Sequence, residues 1–233
     1  MIRWDVDGYE VAFTTRLGGV SDGPYESLNL GRKSGDELEH VDENRRIACA
    51  AIGADVAKLA LNFQMHSALV RRAEAASRGA RADGLWTDEP GLPILAMSAD
   101  CLPLVLARAD GRGRAVAVLH AGWRGLLEGI ARSGVEALGG GDLAAAIGPG
   151  IGPCCYEVGE EVAAPFRERF GDDVVRDRRL DLWTSAERAL RAAGVERIHR
   201  VDRCTACEPE TFFSHRRDRG RTGRQGVIAY VAD

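Results

Sequence analysis

The sequence predicts an α+β fold made of a single domain that spans residues 1–233. Short apolar runs typical of strands and segments with helical spacing follow one another without the regular rhythm of a doubly wound sheet. The chain shows no internal repeat, linker or low-complexity segment, and its 233 residues, 45% of them hydrophobic, are enough to bury a sizeable core. These observations favour one globular unit.

The N-terminal region predicts a strand followed by a loop. Residues 9–16 alternate well enough for a strand, and residues 21–32 are rich in Gly, Pro, Ser and Asn, which is typical of turns. Arg16 and Asn29 lie near the two ends of this loop. Both side chains suit hydrogen bonding to a polar ligand, although ordinary solvated loop residues have the same character.

A helix and another strand come next. The helix is expected over residues 36–52, where Asp36 is a candidate N-cap and acidic residues precede basic ones, as the helix dipole favours. Cys49 lies near the apolar stripe of this helix and is interpreted as a core residue. Residues 59–70 predict a strand with His66 inside it or just after it, and its polar face would meet either solvent or a site.

The most apolar part of the chain predicts three buried strands. Residues 94–97 and 104–107 form two of them, separated at Pro103, which is expected to prevent a regular continuation. Residues 115–119 form the third, because they are a run of Val, Ala and Leu. Further elements are expected as helices from residue 126, over 160–170 and over 182–193, and as strands over 142–147, 197–201 and 227–231.

Composition and charge exclude several classes of protein. The net charge of −4 argues against a general nucleic-acid binder, which usually carries a basic excess. No run of 18 apolar residues predicts a membrane span, and the N-terminus does not resemble a signal peptide. We therefore expect a cytoplasmic protein that binds neither nucleic acid nor membranes. Its six cysteines are expected to be reduced thiols or metal ligands.

Three residues at predicted strand ends are candidate metal ligands. His120 follows the third buried strand directly, and the turn after it contains two glycines that let the backbone approach a ligand closely. His66 and Cys101 also lie near strand ends beside polar turns. Two His and one Cys would leave the fourth position of zinc open, as in a catalytic site. Their long spacing is no zinc signature, so satisfied structural side chains remain the alternative.

The other cysteines offer a weaker candidate site. Cys204 and Cys207 form a CxxC pair that could join Cys154 and Cys155 in a structural zinc site. Adjacent cysteines rarely both reach one tetrahedral ion, and the chain has no second CxxC. The sequence therefore favours buried thiols here.

The C-terminal loop region is strongly basic. His215 follows two phenylalanines and is expected to face solvent. Residues 216–224 contain five arginines, which could bind phosphate or form a solvated loop. No nucleophile elbow, Walker loop or dinucleotide-binding glycine motif is present.

Seven blocks of sequence, in order, resemble a known family. They are TTRLGGVSDGPYESLNLG, NFQMHSALV, ADGLWTD, SADCLPLVL, AVLHAGWRGLLEGI, GPGIGPCCYEVG and CT–C–E–FFSHRRDRGRTGRQ. Together they are similar to the YfiH/LACC family, also called the multicopper polyphenol oxidase or purine nucleoside phosphorylase family. The resemblance runs from about residue 14 to residue 225, nearly the whole chain, and its ADC and HAGWRG motifs are specific.

The resemblance implies a four-layer α/β/β/α sandwich with a zinc site formed by His66, Cys101 and His120. It also implies phosphorolysis of purine nucleosides (adenosine, inosine, guanosine or methylthioadenosine), with deamination of adenosine as a further activity. The chain departs from the family at Ser67, where Gly is usual after the first ligand. We expect this serine to affect substrate preference more than metal binding.

Roles for further residues follow from this implied chemistry. Arg16, Arg124 and Arg224 are candidates to bind phosphate, and Asn29 is a candidate to bind a sugar hydroxyl. Asp100 could act as a general base or could orient a ligand histidine. The expected partners are a purine nucleoside and phosphate, and the expected state is a monomer or a weak homodimer.

Three rival functions remain open. The first is a copper-dependent phenol oxidase, although five histidines are few for a multicopper centre. The second is a hydrolase of a small cytoplasmic amide, with Cys101 as nucleophile and His120 as base. The third is a binding protein with a structural zinc ion.

Overall fold

Two six-stranded sheets stacked face to face form the centre of the protein. The computed structural model describes residues 1–232, and helices cover the outer face of each sheet. The described strands are β1 (Ile2–Arg3), β2 (Tyr9–Phe13), β3 (Ala60–Phe63), β4 (Val70–Arg72), β5 (Arg78–Arg81), β6 (Gly84–Thr87), β7 (Ile94–Ser98), β8 (Leu102–Arg108), β9 (Val116–Ala121), β10 (Leu143–Ile147), β11 (Val175–Arg176), β12 (Arg179–Leu180), β13 (Arg197–Arg200) and β14 (Gln225–Val231). The described α-helices are α1 (Leu38–Ala50), α2 (Trp123–Glu128), α3 (Ile130–Ala137), α4 (Glu160–Phe170) and α5 (Leu182–Ala192).

Each large sheet mixes parallel and antiparallel pairs. The first has the order β1-β2-β14-β7-β3-β5, and the second has the order β13-β10-β8-β9-β6-β4. The strands β8, β9 and β10 at the centre of the second sheet are antiparallel, whereas β13 and β4 add in parallel at its edges. This mixture confirms the α+β class.

The alternation of side chains along each strand builds three apolar layers. In β9, Val116 and Val118 pack between the two sheets, whereas Leu119 packs on the opposite face, beneath α2–α5. On the outer face of the first sheet, Leu95 and Ile228 pack with residues of α1. The order helix, sheet, sheet, helix confirms the four-layer sandwich.

The hydroxyl of Tyr9 links the two sheets directly. It donates a hydrogen bond to the carbonyl oxygen of Arg108 at 2.7 Å and accepts one from the backbone N–H of Ala115 at 3.1 Å. Tyr9 belongs to the first sheet, whereas its two partners flank the β8–β9 loop of the second sheet. This contact crosses the interface between the sheets.

Helix α1 begins two residues later than expected, because Asp36 is not its N-cap. Glu37 holds the N-cap position and makes no side-chain capping hydrogen bond. The carboxylate of Asp36 instead accepts hydrogen bonds from Ser21 (2.6 Å) and Asn29 (2.8 Å) and so fixes the loop before the helix.

The single strand predicted over residues 59–70 was wrong. Strand β3 ends at Phe63, and the chain forms a loop around His66 before β4 begins at Val70. His66 has φ +64°, a left-handed conformation that ends any extended run. Strand β5 lies in a segment for which the sequence analysis predicted no element.

Pro103 does not interrupt the apolar region as predicted. It is the second residue of β8 and pairs with His120 in β9. Its carbonyl oxygen still accepts a hydrogen bond, from Gly148. A proline this close to a strand end removes only one ladder donor. The helix predicted from residue 126 is divided at Gly129, which has φ +99° and separates α2 from α3.

No described helix has both the length and the apolar character that crossing a membrane requires.

Candidate functional site

The structure brings His66, Cys101 and His120 together. One ligand atom of each lies within 4.8 Å of those of the other two, and the two imidazole rings meet edge to face with centroids 4.9 Å apart. His120 comes from the end of β9, Cys101 immediately precedes β8, and His66 lies on the loop after β3. His120 is buried whereas His66 is exposed, so the cluster has one open side.

Gly122 leaves the space in which these side chains meet. A Cβ atom at this position would lie 3.0 Å from Cys101 Sγ and 3.0 Å from His66 Cδ2, tighter than an ordinary van der Waals contact. The glycine of the HAGWRG motif therefore lets the β9–α2 turn pass directly behind two candidate ligands.

The buried carboxylate of Asp83 fixes the positions of two candidate ligands by hydrogen bonds. This carboxylate lies 2.9 Å from Nδ1 of His120 and accepts hydrogen bonds from the backbone N–H groups of Met65, His66 and Ser67. The Ser67 hydroxyl donates a further bond at 2.7 Å. One buried carboxylate thus fixes both the loop of one ligand and the ring of another. Sequence reasoning missed this role, although Asp83 stands in the ADGLWTD block.

The electrostatics favour charged side chains in this cluster. Burial raises the pKa of Cys101, but the His120 charge and hydrogen bonds from both histidines outweigh it and bring the pKa to about 6. Burial lowers the pKa of His120, but Cys101 and Asp83 outweigh it and raise the pKa to about 9. Burial raises the pKa of Asp83, but hydrogen bonds from His120, Ser67 and Met65 outweigh it and hold this pKa well below the usual range.

This donor set fits a metal ion. A thiolate and two imidazoles suit zinc or copper, and the carboxylate behind His120 fixes the ring orientation in the way common for metal-bound histidines. The space kept free by Gly122 and the open side at His66 agree with an ion held by three side chains and accessible to a ligand.

A cavity of about 610 Å³ opens beside the cluster. Six basic side chains line it, whereas Asp100 is the one carboxylate among its described lining residues. The basic residues are Arg32, Lys33, Arg45, Arg78, Arg216 and Arg224. Apolar walls are provided by Phe63, Met97, Ile151 and Tyr156, among others. The cavity therefore combines a positive electrostatic field with surfaces on which a flat ring can pack.

Two buried polar atoms among the lining residues lack a protein partner. They are Nη1 of Arg45 and Oγ of Ser98. Buried polar atoms are normally satisfied, so these two, each closed to solvent, are exceptions in the wall of the cavity. Neither residue was singled out from the sequence, because nothing local distinguishes them from ordinary helix and strand positions.

The phosphate candidates Arg16, Arg124 and Arg224 occupy different places. Arg224 lines the cavity, and its pKa is lowered by burial although Asp100 and Cys101 act in the opposite direction. Arg16 is not among the lining residues, and its guanidinium donates to backbone carbonyls of Glu26 and Pro209. Arg124 is exposed and stacks on Trp123 with its Cζ 4.4 Å from the ring centroid.

Asn29 is fully engaged within the protein. Its side-chain nitrogen donates to Ser34 and Asp36, and its oxygen accepts from the backbone N–H groups of Gly31 and Arg224. It is fully buried and absent from the described cavity lining. These hydrogen bonds connect Asn29 to the backbone of Arg224, and its contact with a sugar hydroxyl stays a prediction.

Asp100 is also held by the protein. One carboxylate oxygen accepts from the Thr205 hydroxyl at 2.6 Å, and the other accepts from the backbone N–H of Arg216 at 2.7 Å. Orienting a ligand histidine, one of the two roles predicted for Asp100, falls to Asp83, which hydrogen-bonds to His120. Asp100 ties the C-terminal loops to the segment that carries Cys101.

Ser67 faces away from the cavity. Its hydroxyl binds Asp83, and the residue is absent from the described cavity lining. The expectation that it acts mainly on substrate preference therefore has no support in its position, which is behind the metal ligands. His215 is exposed as expected, and it also lines the cavity.

The remaining cysteines divide into two groups. Cys49 is a fully buried core residue, as predicted. Cys154, Cys155, Cys204 and Cys207 gather in a second cluster, with sulfurs within 4.8 Å of one another. The prediction of buried thiols was wrong for Cys154 and Cys207, which are exposed.

Comparison with known proteins agrees with this arrangement. Residues 10–232 match a family model described as multi-copper polyphenol oxidoreductase laccase. A Geobacillus stearothermophilus protein named purine nucleoside phosphorylase YlmD is 37% identical over 250 residues, covering 96% of this chain and 90% of that protein. Escherichia coli (strain K12) purine nucleoside phosphorylase YfiH is 38% identical over 237 residues, covering 96% and 94%.

Solved structures share the fold over the same length. The crystal structure of YlmD from Geobacillus stearothermophilus superposes with a TM-score of 0.90 at 34% identity and covers 97% of this chain and 93% of that one. A Bacillus licheniformis protein described as hypothetical protein YfiH gives a TM-score of 0.88 at 32% identity, covering 96% and 92%.

Proposed function

The chain belongs to the multi-copper polyphenol oxidoreductase laccase family, and from this premise we propose that it is a zinc-dependent purine nucleoside phosphorylase. The proposal takes adenosine, inosine, guanosine and methylthioadenosine as substrates and includes deamination of adenosine as a second reaction. The relatives named purine nucleoside phosphorylase support the general activity. The cytoplasmic location expected from the sequence is part of the same proposal.

The charge of the cavity is the observation that carries the proposal. Six basic side chains and one carboxylate line it, although the whole protein has a net charge of −4. The carboxylate, Asp100, already accepts two hydrogen bonds within the protein, from the Thr205 hydroxyl and the backbone N–H of Arg216. Such an excess of cations in an acidic protein favours a polyanionic ligand, and phosphate is the anion that phosphorolysis requires.

Arg224 is the leading candidate to bind the phosphate. The charges of Asp100 and Cys101 act on its pKa, so it lies close to the candidate metal ligands. Arg45 adds a buried guanidinium nitrogen without a protein partner. Arginine binds phosphate with parallel N–H groups, and burial strengthens that contact.

The apolar side of the cavity suits a purine. Tyr156, Ile151 and Phe63 offer surfaces for a flat ring, and burial raises the pKa of Tyr156, which keeps its phenol neutral. A volume of about 610 Å³ lies within the usual range for small-molecule sites.

His66, Cys101 and His120 would hold the zinc ion. When bound, zinc supplies Lewis-acid polarisation of an oxygen in its open position. Asp83 contributes by accepting a hydrogen bond from Nδ1–H of His120, which fixes the imidazole tautomer. In phosphorolysis, a phosphate oxygen bonds to the anomeric carbon as the glycosidic bond to the purine breaks, and the cavity cations hold the phosphate for that attack.

A product assay tests the proposal. Adenosine is incubated with the zinc-loaded protein, with and without phosphate, and the purines are separated by chromatography. We expect phosphate-dependent adenine that His120→Ala abolishes. Arg224→Ala should raise the phosphate KM at least about tenfold, as expected for loss of a charge-assisted hydrogen bond. The control Arg72→Ala removes an exposed arginine that pairs with Asp88 and should leave that KM unchanged.

Other outcomes contradict the proposal. Inosine as the only product, with no phosphate-dependent adenine, would make the protein a deaminase and not a phosphorylase. No purine product from protein that retains its metal would favour the hydrolase alternative, and a covalent intermediate trapped in Cys101→Ser would then identify that residue as the nucleophile.

A further inference from the structure

We propose that Cys154, Cys155, Cys204 and Cys207 bind a second metal ion, a zinc held by four thiolates, which joins two loops of the substrate cavity. This site is separate from the His66, Cys101 and His120 cluster and does not depend on the proposed enzymatic activity.

The distances between the sulfurs fit a single ion. The Cys207 sulfur lies 3.4 Å from that of Cys154 and 3.3 Å from that of Cys155, and all four sulfurs lie within 4.8 Å of one another. In a tetrahedral site with zinc–sulfur bonds of about 2.3 Å, the sulfurs stand roughly 3.8 Å apart. An iron–sulfur cluster spreads its cysteines around several atoms and needs a wider ring of sulfurs.

The backbone brings the two cysteine pairs together. Gly150 and Cys204 form a parallel bridge, and the Thr205 N–H donates to the Gly150 carbonyl. Cys207 donates its N–H to the carbonyl of Cys204, which closes the CxxC turn. The Gly152 N–H lies 3.3 Å from the Cys204 sulfur, and N–H donors of this kind stabilise a thiolate.

The sequence argued against this site because adjacent cysteines rarely both reach one ion, but a turn brings Cys154 and Cys155 close to the same partner. Cys155 donates its N–H to the Gly152 carbonyl, so the chain turns there. The turn allows the sulfurs of Cys154 and Cys155 to approach the same partner, Cys207, from neighbouring positions. Tetrahedral thiolate sites of this composition are typical of structural zinc.

The position of the cluster indicates what the ion does. The loop with Cys154 and Cys155 also carries Ile151 and Tyr156, which line the cavity. The loop with Cys204 carries Thr205, whose hydroxyl binds Asp100 next to Cys101. A bound ion would therefore hold one wall of the cavity and the support of a catalytic-site ligand in a fixed relation.

Metal analysis of the purified holoprotein, prepared without oxygen, tests the proposal. For the wild-type protein we expect two zinc ions per chain by elemental mass spectrometry. His120→Ala and Cys207→Ser should each retain one zinc ion. The control Cys49→Ala, which removes the buried thiol outside both clusters, should retain two. X-ray absorption of His120→Ala should show four sulfur neighbours at about 2.3 Å. A His120→Ala protein without metal, or an ion without sulfur neighbours, would overturn the proposal.

Thiol alkylation of the wild-type protein covers the case in which a cysteine variant fails to fold. Cys154 and Cys207 are exposed, so free thiols at these positions would react at once with iodoacetamide. We expect all four cysteines to resist alkylation until a chelator removes the zinc. Immediate labelling overturns the proposal. A disulfide would overturn it too, and it is identified by a protein mass lower by two hydrogens and by protection from alkylation that a reductant abolishes.

Discussion

Asp83 determines the geometry of the candidate metal centre at the scale of single residues. It binds Nδ1 of one candidate ligand and the backbone on both sides of another, although it is no ligand itself. A carboxylate with this many donors is favoured in its ionised form, which agrees with its lowered pKa. The ring orientation of His120 therefore depends on a residue 37 positions away in the sequence.

The change Asp83→Asn should lower zinc affinity about 10- to 100-fold, because the amide is a weaker acceptor for the His120 N–H. Competition with a chromogenic chelator measures the affinity. The control Asp88→Asn removes a nearby exposed carboxylate and should have no effect. Equal zinc affinity in wild type and Asp83→Asn would show that His120 needs no orienting partner.

Ser67→Gly introduces the residue that the family usually has at this position. It removes a hydrogen bond to a buried carboxylate and should destabilise the protein by about 1–2 kcal/mol. The ratio of kcat/KM for adenosine and inosine should stay the same, because Ser67 lies behind the ligands. Urea unfolding and steady-state kinetics measure the two effects, and a changed substrate ratio would contradict our interpretation.

At the scale of elements, the turn between β9 and α2 sets the size of the metal pocket. Strand β9 delivers His120, and Gly122 directly follows the strand as the N-cap of α2. The short turn leaves room for Cys101 and His66 only because this position lacks a Cβ atom.

Gly122→Ala should displace these two side chains and reduce zinc affinity at least about tenfold, while the thermal unfolding of the metal-free protein changes little. Isothermal titration with zinc measures the affinity. Gly125→Ala is the matched control, because its Cβ would lie 3.1 Å from the Ser67 carbonyl oxygen and reach no ligand side chain. Similar losses in both variants would indicate a general distortion of the turn.

At the scale of the whole molecule, the two sheets are joined by an apolar layer with a few polar contacts across it. Tyr9 is such a contact, since its hydroxyl binds two backbone groups of the opposite sheet. Burial raises the pKa of this phenol above its usual value. The folded protein therefore prefers the neutral form of Tyr9.

Tyr9→Phe should destabilise the protein by about 1–3 kcal/mol at pH 7, because the buried N–H of Ala115 loses its acceptor. The raised pKa means that the contribution of Tyr9 is fully present below about pH 10, the pKa of tyrosine in the unfolded chain, and is lost as pH rises through the folded value. Urea unfolding at pH 7 and above pH 10 should show the difference between wild type and variant shrinking.

Much of this protein could be predicted from local sequence. The apolar runs of β7, β9 and β10 and the periodicity of α4 and α5 place these elements within a few residues, because burial of one face imposes a regular spacing. The errors fall where tertiary contacts override local preference. His66 is left-handed because Asp83 binds the backbone around it, and Asp36 leaves the helix terminus because Ser21 and Asn29 bind its carboxylate.

The sequence by itself determined the α+β class, the three candidate metal ligands and, through seven motif blocks, the family resemblance. Only the tertiary structure decided which residues support them: Asp83 behind His120, Arg45 and Ser98 in the cavity wall, and the joining of two distant cysteine pairs. The candidate metal ligands could be predicted from motifs, because only a few residue types can bind a metal ion. The supporting contacts depend on long-range packing of the two sheets and their loops, which has no local signature in the chain.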